Sequence, residues 1–437
     1  MLLIYSETLG PRLVYTCTVL FREVSVVPYS LTNSREAYLS YAGPRLNYSR
    51  QRITENEVWM VPHGLLWQKG TDVQHIQVSR DLGYPAFFQT GGDVPFDLLA
   101  SAFFLVSRYE EYLPHETDDF GRYHHRQSLA YREGFLQRPL VNEWMKNFRE
   151  TLRKRFPGFY LAEPVFRYTP TYDIDIAYAY RFRPPVRALG GAVRDLLQGR
   201  SAQLSRRWNT LRGRQADPFD VYEWLDAMHM RYRLRPVYFF LLAARTSAYD
   251  RNLDPRHPAM RSLVRYHALG YATGIHPSWQ SGDDHAMIDT EMAQLKAITG
   301  LTVTNSRQHY LRMRIPDTLR RLEQAGILDD YTMGYGTMNG FRASIATPYT
   351  WYDLQEERAS ALRLHPFGYM DANAMFAEQI TPSKAFEQLQ GMHNRVKSCG
   401  GTFYTIHHNH FLGDYPGYAG WREVYALFLE QVVYWDV

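Results

Sequence analysis

The chain of 437 residues carries a formal net charge of +4, with 45% apolar and 22% charged residues. That is an ordinary globular composition with room for a large core, and it gives no argument for nucleic-acid binding. Two cysteines, Cys17 and Cys399, exclude a disulfide framework and a Cys-type zinc site.

No run of about 18 apolar residues is present to span a membrane. Ser6, Glu7, Gly10, Pro11 and Arg12 interrupt the start where a signal peptide needs an unbroken apolar run, so a cytoplasmic enzyme is expected. Residues 1–164 read as a smaller α+β domain. Its β-prone runs are 2–5, 13–21 and 58–60, with Pro and Gly between them. The segment 96–112 is apolar on nearly every side up to Val106 and should be a buried helix. Its polar tail, with Arg108, Glu110 and Glu111, reads as a solvated end. A second helix is expected over 140–155, closed by Pro157-Gly158. None of these residues carries chemistry.

From residue 165 strands and helices alternate, which signals a βα architecture. The first strand leads into Thr171-Tyr172-Asp173-Ile174-Asp175. An Arg-rich segment, 181–214, reads as a helical insertion with a solvated face. Asp217-Pro218 then starts a helix that places Val221, Trp224, Leu225 and Met228 on one side. The run 236–242 reads as a strand buried on both faces. Further strands are expected at 271–275, 301–304, 331–335, 362–364 and 402–406, with helices between most of them and a closing helix over 421–433. About seven βα units are enough to close a barrel.

In a strand, residues i and i+2 share a face, so Asp173 and Asp175 lie side by side, about 7 Å apart at the Cα level. Two such carboxylates in a poorly solvated place need a cation or a shared proton. The alternative for the pair is one Asp capping a turn and the other solvated. Later strand ends carry His276, His309 and His407-His408-Asn409. An Asp/His/His set at the ends of parallel strands is a hydrolytic zinc-type arrangement.

On these residues the stretch from 165 onward resembles the polysaccharide deacetylases, the carbohydrate esterase family 4-like chitooligosaccharide deacetylase superfamily. The resemblance implies an α/β fold, a distorted (β/α)7 barrel over residues 165–437. Thr171-Tyr172-Asp173-Ile174-Asp175 stands where that family has Thr-aromatic-Asp-Asp, with the first Asp as base and the second on the metal. His276-Pro277-Ser278-Trp279-Gln280 matches its His-Ser/Thr-x-x-His, with Gln280 in place of the second His. Arg307-Gln308-His309-Tyr310 fills the Arg-x-Pro-aromatic position without its Pro. Ile406-His407-His408 matches Leu-x-His loosely, and the Asp-x-x-Asp-Trp motif is missing from 331–342.

The resemblance implies metal-dependent removal of N-acetyl groups from an amino sugar or polysaccharide of the cell envelope. The cofactor is a divalent cation, zinc first, and the partner is a carbohydrate. Asp173 is then the base, oriented by Arg307 or Arg342, and His408 the acid. A structural salt bridge is the other reading of Arg342. His407 should alternate with His408 across the strand, leaving one of them facing the pocket. Tyr310, Trp279 and Asn409 are candidate substrate contacts. A neutral Gln280 amide is a poor zinc ligand. His309, on the neighbouring strand end, is therefore expected to complete the set with Asp175 and His276. Two other functions fit the same residues: hydrolysis of another non-peptide C–N bond, such as a cyclic imide, or metal-free carbohydrate binding.

Overall fold

The computed structural model describes residues 1–284 and 286–433. In chain order the strands are β1 (Leu2–Tyr5), β2 (Tyr29–Thr32), β3 (Arg45–Tyr48), β4 (Val58–Met60), β5 (Phe166–Ile174), β6 (Val237–Phe240), β7 (Ala272–Ile275), β8 (Asn305–Ser306), β9 (Asp329–Asp330), β10 (Tyr349–Asp353), β11 (Arg358–Leu364), β12 (Phe367–Met370) and β13 (Gly401–His408). The chain sorts into two compact units. One holds Met1–Arg167, Met313–Gly368 and Gly391–Tyr404; the other holds Tyr168–Arg312, Tyr369–Gln390 and Thr405–Val437. Compactness thus places two later segments with the N-terminal residues, a different partition from the consecutive stretches 1–164 and 165–437.

The N-terminal sheet has the order β2-β1-β3-β4, and each neighbouring pair is parallel. This corrects the expected α+β layout, and the cause is the segment 13–21. Its apolar residues suggested a strand, yet it is a helix, Pro11–Cys17, continued by a π-helix, Thr18–Val24. Parallel strands need a crossover, and this helix supplies it between β1 and β2. Pro11 sits in its first turn, where the missing N–H has no partner to lose. The helix Leu98–Val106 is buried at every residue, and Leu140–Arg155 buries Leu140, Trp144, Met145, Phe148 and Leu152 along one face. The same unit contains an antiparallel pair, β10 with β11, and the parallel pair β11 with β9. The run 331–335, expected as a strand, pairs only just before it, at Asp329–Asp330.

In the second unit the neighbours run β8-β7-β6-β5-β13-β12. β5, β6, β7 and β8 are parallel to one another in that sequence. The helices Tyr222–Arg231, Pro258–Gly270 and Ala286–Thr299 lie between successive strands of this set, which is the expected βα alternation. β6 (Val-Tyr-Phe-Phe) is buried at all four positions, as a strand covered on both faces must be. The Arg-rich insertion forms two helices, Pro185–Leu197 and Ser201–Leu211. The strand expected at 301–304 pairs later, at β8, because Leu301 and Thr302 are still exposed when the chain leaves Gly300. Among the described residues no helix is long and apolar enough to cross a membrane.

Close packing on this sheet is tightest at Gly274 in β7. A Cβ there would lie 2.7 Å from the Asn305 carbonyl oxygen and 2.6 Å from the Phe239 ring. The ring can rotate away, but the backbone oxygen is fixed by the sheet. Gly274→Ala should therefore lower stability by about 1–3 kcal/mol, as overpacking does. Thermal unfolding of the purified variant measures it, and an unchanged Tm would show that β8 yields freely.

Candidate metal and acid–base site

Asp173 and Asp175 project from the end of β5 toward one imidazole. Asp173 Oδ2 lies 3.7 Å and Asp175 Oδ1 3.2 Å from His276 Nε2. The period-2 argument therefore holds at the side-chain level. His276 follows β7 directly, and its Nδ1 donates to the Arg307 carbonyl at 2.5 Å. A carbonyl can only accept, so Nδ1 carries a proton and Nε2 is the atom turned toward the aspartates.

His309 lies in a short 3-10 turn, His309–Leu311, just after β8. Its Nδ1 donates to Asp250 Oδ1 at 2.9 Å, and its Nε2 stands 3.7 Å from Asp175 Oδ2. His408, the last residue of β13, repeats the pattern. Its Nδ1 donates to Asp371 Oδ1 at 2.6 Å, and its Nε2 is 3.5 Å from Asp175 Oδ2. Burial pulls both imidazoles toward the neutral form, but the carboxylates outweigh it. Asp175 and Asp250 push His309 up to about 9, and Asp371, with Asp175 and Asp173, pushes His408 up to about 10. Burial would raise Asp175 too, yet His309 and His276 hold it well below the usual carboxylate range.

One ligand atom from each of Asp175, His276 and His309 lies within 4.8 Å of the other two. Two further observations fit a cation there. Asp175 Oδ1 is buried with no hydrogen bond assigned and only His276 Nε2, 3.2 Å away, facing it, and a buried carboxylate oxygen is stabilised where a cation meets it. Both histidines are pinned at Nδ1 by an acceptor, the outer-shell arrangement that orients metal-bound imidazoles. One carboxylate oxygen and two imidazole nitrogens suit zinc.

Arg307 lies on the Asp173 side of the cluster. It is fully buried, and its Nη1 donates to Asp173 Oδ1 at 2.8 Å and to Thr171 Oγ1 at 2.7 Å. Its guanidinium lies over the Phe239 ring at 4.5 Å.

Arg342 is placed differently, in the first unit. Its Nε and Nη2 donate to the Glu111 carboxylate and its Nη1 to the Gly334 carbonyl at 3.1 Å. The structural salt bridge is the reading that the contacts support, and Asp173 is oriented by Arg307. Glu110 and Glu111 are correspondingly buried, not a solvated helix end. Burial alone would raise Glu111, but Arg342 and Arg108 hold it at about 2.

The expected substrate contacts divide in the same way. The Asn409 amide is fully buried, and its Nδ2 donates to the carbonyls of Ile176 and Phe219, each at 3.0 Å. It ties loops together and is not presented to a ligand. Trp279 stacks on Tyr249 at 4.1 Å and carries the Arg312 guanidinium at 4.3 Å. Tyr310, 38% exposed, stands edge-on to Trp279 and beside His309. His407 points away from His408 and packs on Tyr425 at 4.2 Å, as strand alternation requires. Burial lowers it to about 4.

Asp250 and Asp371 escaped the sequence reading. Asp250 lies in the polar loop after β6, where Ser247 Oγ accepts from its N–H and donates to its Oδ2. The Ser-x-x-Asp turn at 247–250 was the available signal. Asp371 follows β12 and also accepts from the His408 backbone N–H at 2.7 Å.

A family of unknown function, DUF7033, matches residues 2–157. No curated protein matches the chain. Two solved structures are similar. One, from Mycobacterium smegmatis and assigned as a polysaccharide deacetylase, has 16% identity over 63% of this chain and 86% of that one, with a TM-score of 0.40. The other, a polysaccharide deacetylase from Bacillus cereus, has 11% identity over 62% of this chain and 88% of that one, with a TM-score of 0.30. At these values the likenesses assign neither a fold nor an activity to this chain.

The donor set predicts how metal content responds to substitution. His309→Ala should remove most of the bound metal, while Gln280→Ala, in the one-turn 3-10 helix Gln280–Gly282, should leave it nearly unchanged. Elemental analysis of the purified variants reads both. The opposite pattern would give the ligand position to Gln280.

Proposed function

We propose that the chain is a metal-dependent hydrolase that removes N-acetyl groups from an amino sugar or polysaccharide. In this reading residues 165–437 supply a deacetylase-type (β/α)7 barrel, and residues 1–164 form a separate module. The observation that carries it is the Asp173–Arg307 pair, 2.8 Å apart, beside the convergent Asp175, His276 and His309. The sugar substrate rests on the resemblance of the motifs at 171–175, 276–280 and 406–408.

A divalent cation held by Asp175, His276 and His309 would supply Lewis acidity toward the amide carbonyl and the attacking water. Asp173 has one oxygen, Oδ1, engaged by Arg307. The other oxygen, Oδ2, takes the proton from water as the new C–O bond forms. His408 keeps one proton on Nδ1 against Asp371 and a second on Nε2, on the side of Asp175. Nε2 gives up that proton to the departing amine as the C–N bond breaks, leaving acetate. Base and acid thus sit on separate strand ends, β5 and β13, with the metal ligands between them in function. Each is set by its own neighbour, Arg307 or Asp371.

Asp173→Asn should abolish acetate release from N-acetylated sugars while keeping the metal, because it removes the base and leaves the ligands whole. Asp175→Asn should lose both. An Asp173→Asn protein without metal, beside an Asp175→Asn protein that retains it, would reverse the two roles.

His408→Ala should lower turnover by roughly 10²–10⁴ at constant metal content. Asp371→Asn tests the protonation itself. Asp371 stabilises the His408 imidazolium, so removing its charge lowers the pKa of the acid. The basic limb of the kcat profile should then move to lower pH, because the acid works only while protonated. An unmoved basic limb would take the Asp371–His408 pair out of the proton-transfer step.

A further inference from the structure

The Arg-rich insertion encloses something more specific than a solvated face. A cavity of about 540 Å³ is lined by Arg183, Arg194, Arg207 and Arg251, with Tyr180 among its other walls. That volume is in the range of small-molecule sites, about 300–1,000 Å³. Arg207 is paired with the buried Asp195 at 2.8 Å and lies 4.5 Å over the Tyr180 ring. Arg194 and Arg251 have no carboxylate within ion-pair distance among the described residues. Two of the four are fixed by neutral acceptors. Arg183 donates to the carbonyls of Arg251 at 2.6 Å and Tyr178 at 2.8 Å, and Arg251 Nε donates to the Ala248 carbonyl at 2.8 Å. Arg194 and Arg251 are therefore the two cations that a bound anion would meet.

A second observation is independent of the arginines. Tyr180 is 4% exposed, lines the same cavity, and its hydroxyl is buried without a hydrogen-bond partner. A buried hydroxyl left unpaired is destabilising, and a bound acceptor oxygen removes that cost. The cavity also adjoins the candidate catalytic centre. Ile176, one residue beyond Asp175, lines it, and so does Ser247, whose hydroxyl donates at 3.0 Å to the Asp250 carboxylate that pins His309.

We propose that this cavity binds an anionic substituent, a phosphate ester or a uronate carboxylate, carried by the saccharide on which the Asp173 centre acts. The inference rests on the hydrolase reading for the identity of the saccharide, and on the cavity alone for the anion. Arginine suits both groups, since its planar guanidinium meets phosphate and carboxylate oxygens in pairs. The Tyr180 hydroxyl supplies an additional donor, and Ile176 and Ser247 in the wall set the anion near the reacting sugar unit.

Calorimetric titration of the full-length protein at fixed ionic strength tests this with three probes: N-acetylglucosamine 1-phosphate, tri-galacturonate and neutral chitotriose. One of the anions should bind at least about tenfold more tightly than chitotriose, and Arg194→Ala and Arg251→Ala should each weaken it by about tenfold. Both arginines are exposed, so these variants should fold and keep their metal. Tyr180→Phe, which removes only the hydroxyl, should weaken the anion by a smaller factor and leave chitotriose binding unchanged. The anion that is preferred identifies a phosphorylated sugar or an acidic polysaccharide as the source. Equal binding of all three probes, or variants that bind the anions like the unsubstituted protein, would overturn the proposal. Acetate release is measured separately. Release without anion preference removes the cavity from the mechanism and keeps the hydrolase; anion binding without release from any sugar does the reverse.

Discussion

The second unit is organised around one buried guanidinium. Arg307 reaches from the end of β8 to β5, where it holds both Thr171 and Asp173. Its carbonyl accepts from His276 at the end of β7, its backbone N–H donates to Ile275, and the Phe239 ring of β6 lies beneath it. One residue therefore fixes the relative positions of four parallel strand ends. A fully buried charge is tolerated only when it is paired and hydrogen-bonded, and Asp173 is the carboxylate that does so. The proposed base is thus part of the reason the strands assemble in this register.

The histidines follow a second rule, which is that each is held at Nδ1 by an acceptor so that Nε2 turns inward. For His276 the acceptor is a neutral carbonyl, whereas for His309 and His408 it is a carboxylate. The difference matters chemically. A carboxylate behind an imidazole stabilises its cation and raises its basicity, while a carbonyl only fixes the tautomer. Three imidazoles facing one carboxylate, Asp175, can be neutralised by added protons or by a metal cation. The raised pKa values of His309 and His408 describe the protonated solution. A cation at Asp175 would replace the proton on a ligand histidine and leave the one on a histidine that is not a ligand. In the proposed mechanism the same Asp–His motif would serve two purposes, strengthening a ligand at His309 and supplying an acid at His408.

The parts of this arrangement that were legible in the sequence are those governed by short-range geometry. Asp173 and Asp175 share a face because strands repeat every two residues, and the same period separates His407 from His408. His276 and His309 were visible because βα strands leave their functional groups at their ends. The outer carboxylates, Asp250 and Asp371, come from loops 59 and 37 residues distant from the histidines they hold, and no local pattern links them. Arg342 stayed open between orienting Asp173 and a structural salt bridge for the same reason. Its partner, Glu111, is 231 residues away, so an arginine in an apolar setting looked available when it was already paired. The helix at 11–17 was hidden by apolar residues that fit a strand equally well, although Pro11 marked its start. β11 shows a clean alternation of Ser360, Leu362 and Leu364 inward with exposed neighbours. Its antiparallel partner departs from the βα rhythm of the preceding 150 or so residues, which is why the hairpin was missed.

The segment that carries His309 shows what the site imposes on the backbone. Tyr310 and Leu311 both adopt left-handed conformations, with φ of +57° and +52°, which non-glycine residues rarely take. Strain of this kind persists only where surrounding contacts over-determine it, and here they do so on both sides. Arg307 is locked into the strands before the turn. After it, Arg312 donates to the Trp279 carbonyl at 2.8 Å, pairs with Asp283 and covers the Trp279 ring. Between these anchors the chain must also bring His309 within reach of Asp250 and Asp175. With this backbone His309 Nδ1 lies 2.9 Å from Asp250 Oδ1 and Nε2 3.7 Å from Asp175 Oδ2. The twist is therefore best understood as a consequence of positioning His309, and the aromatic contacts of Tyr249, Trp279 and Tyr310 serve to hold it there.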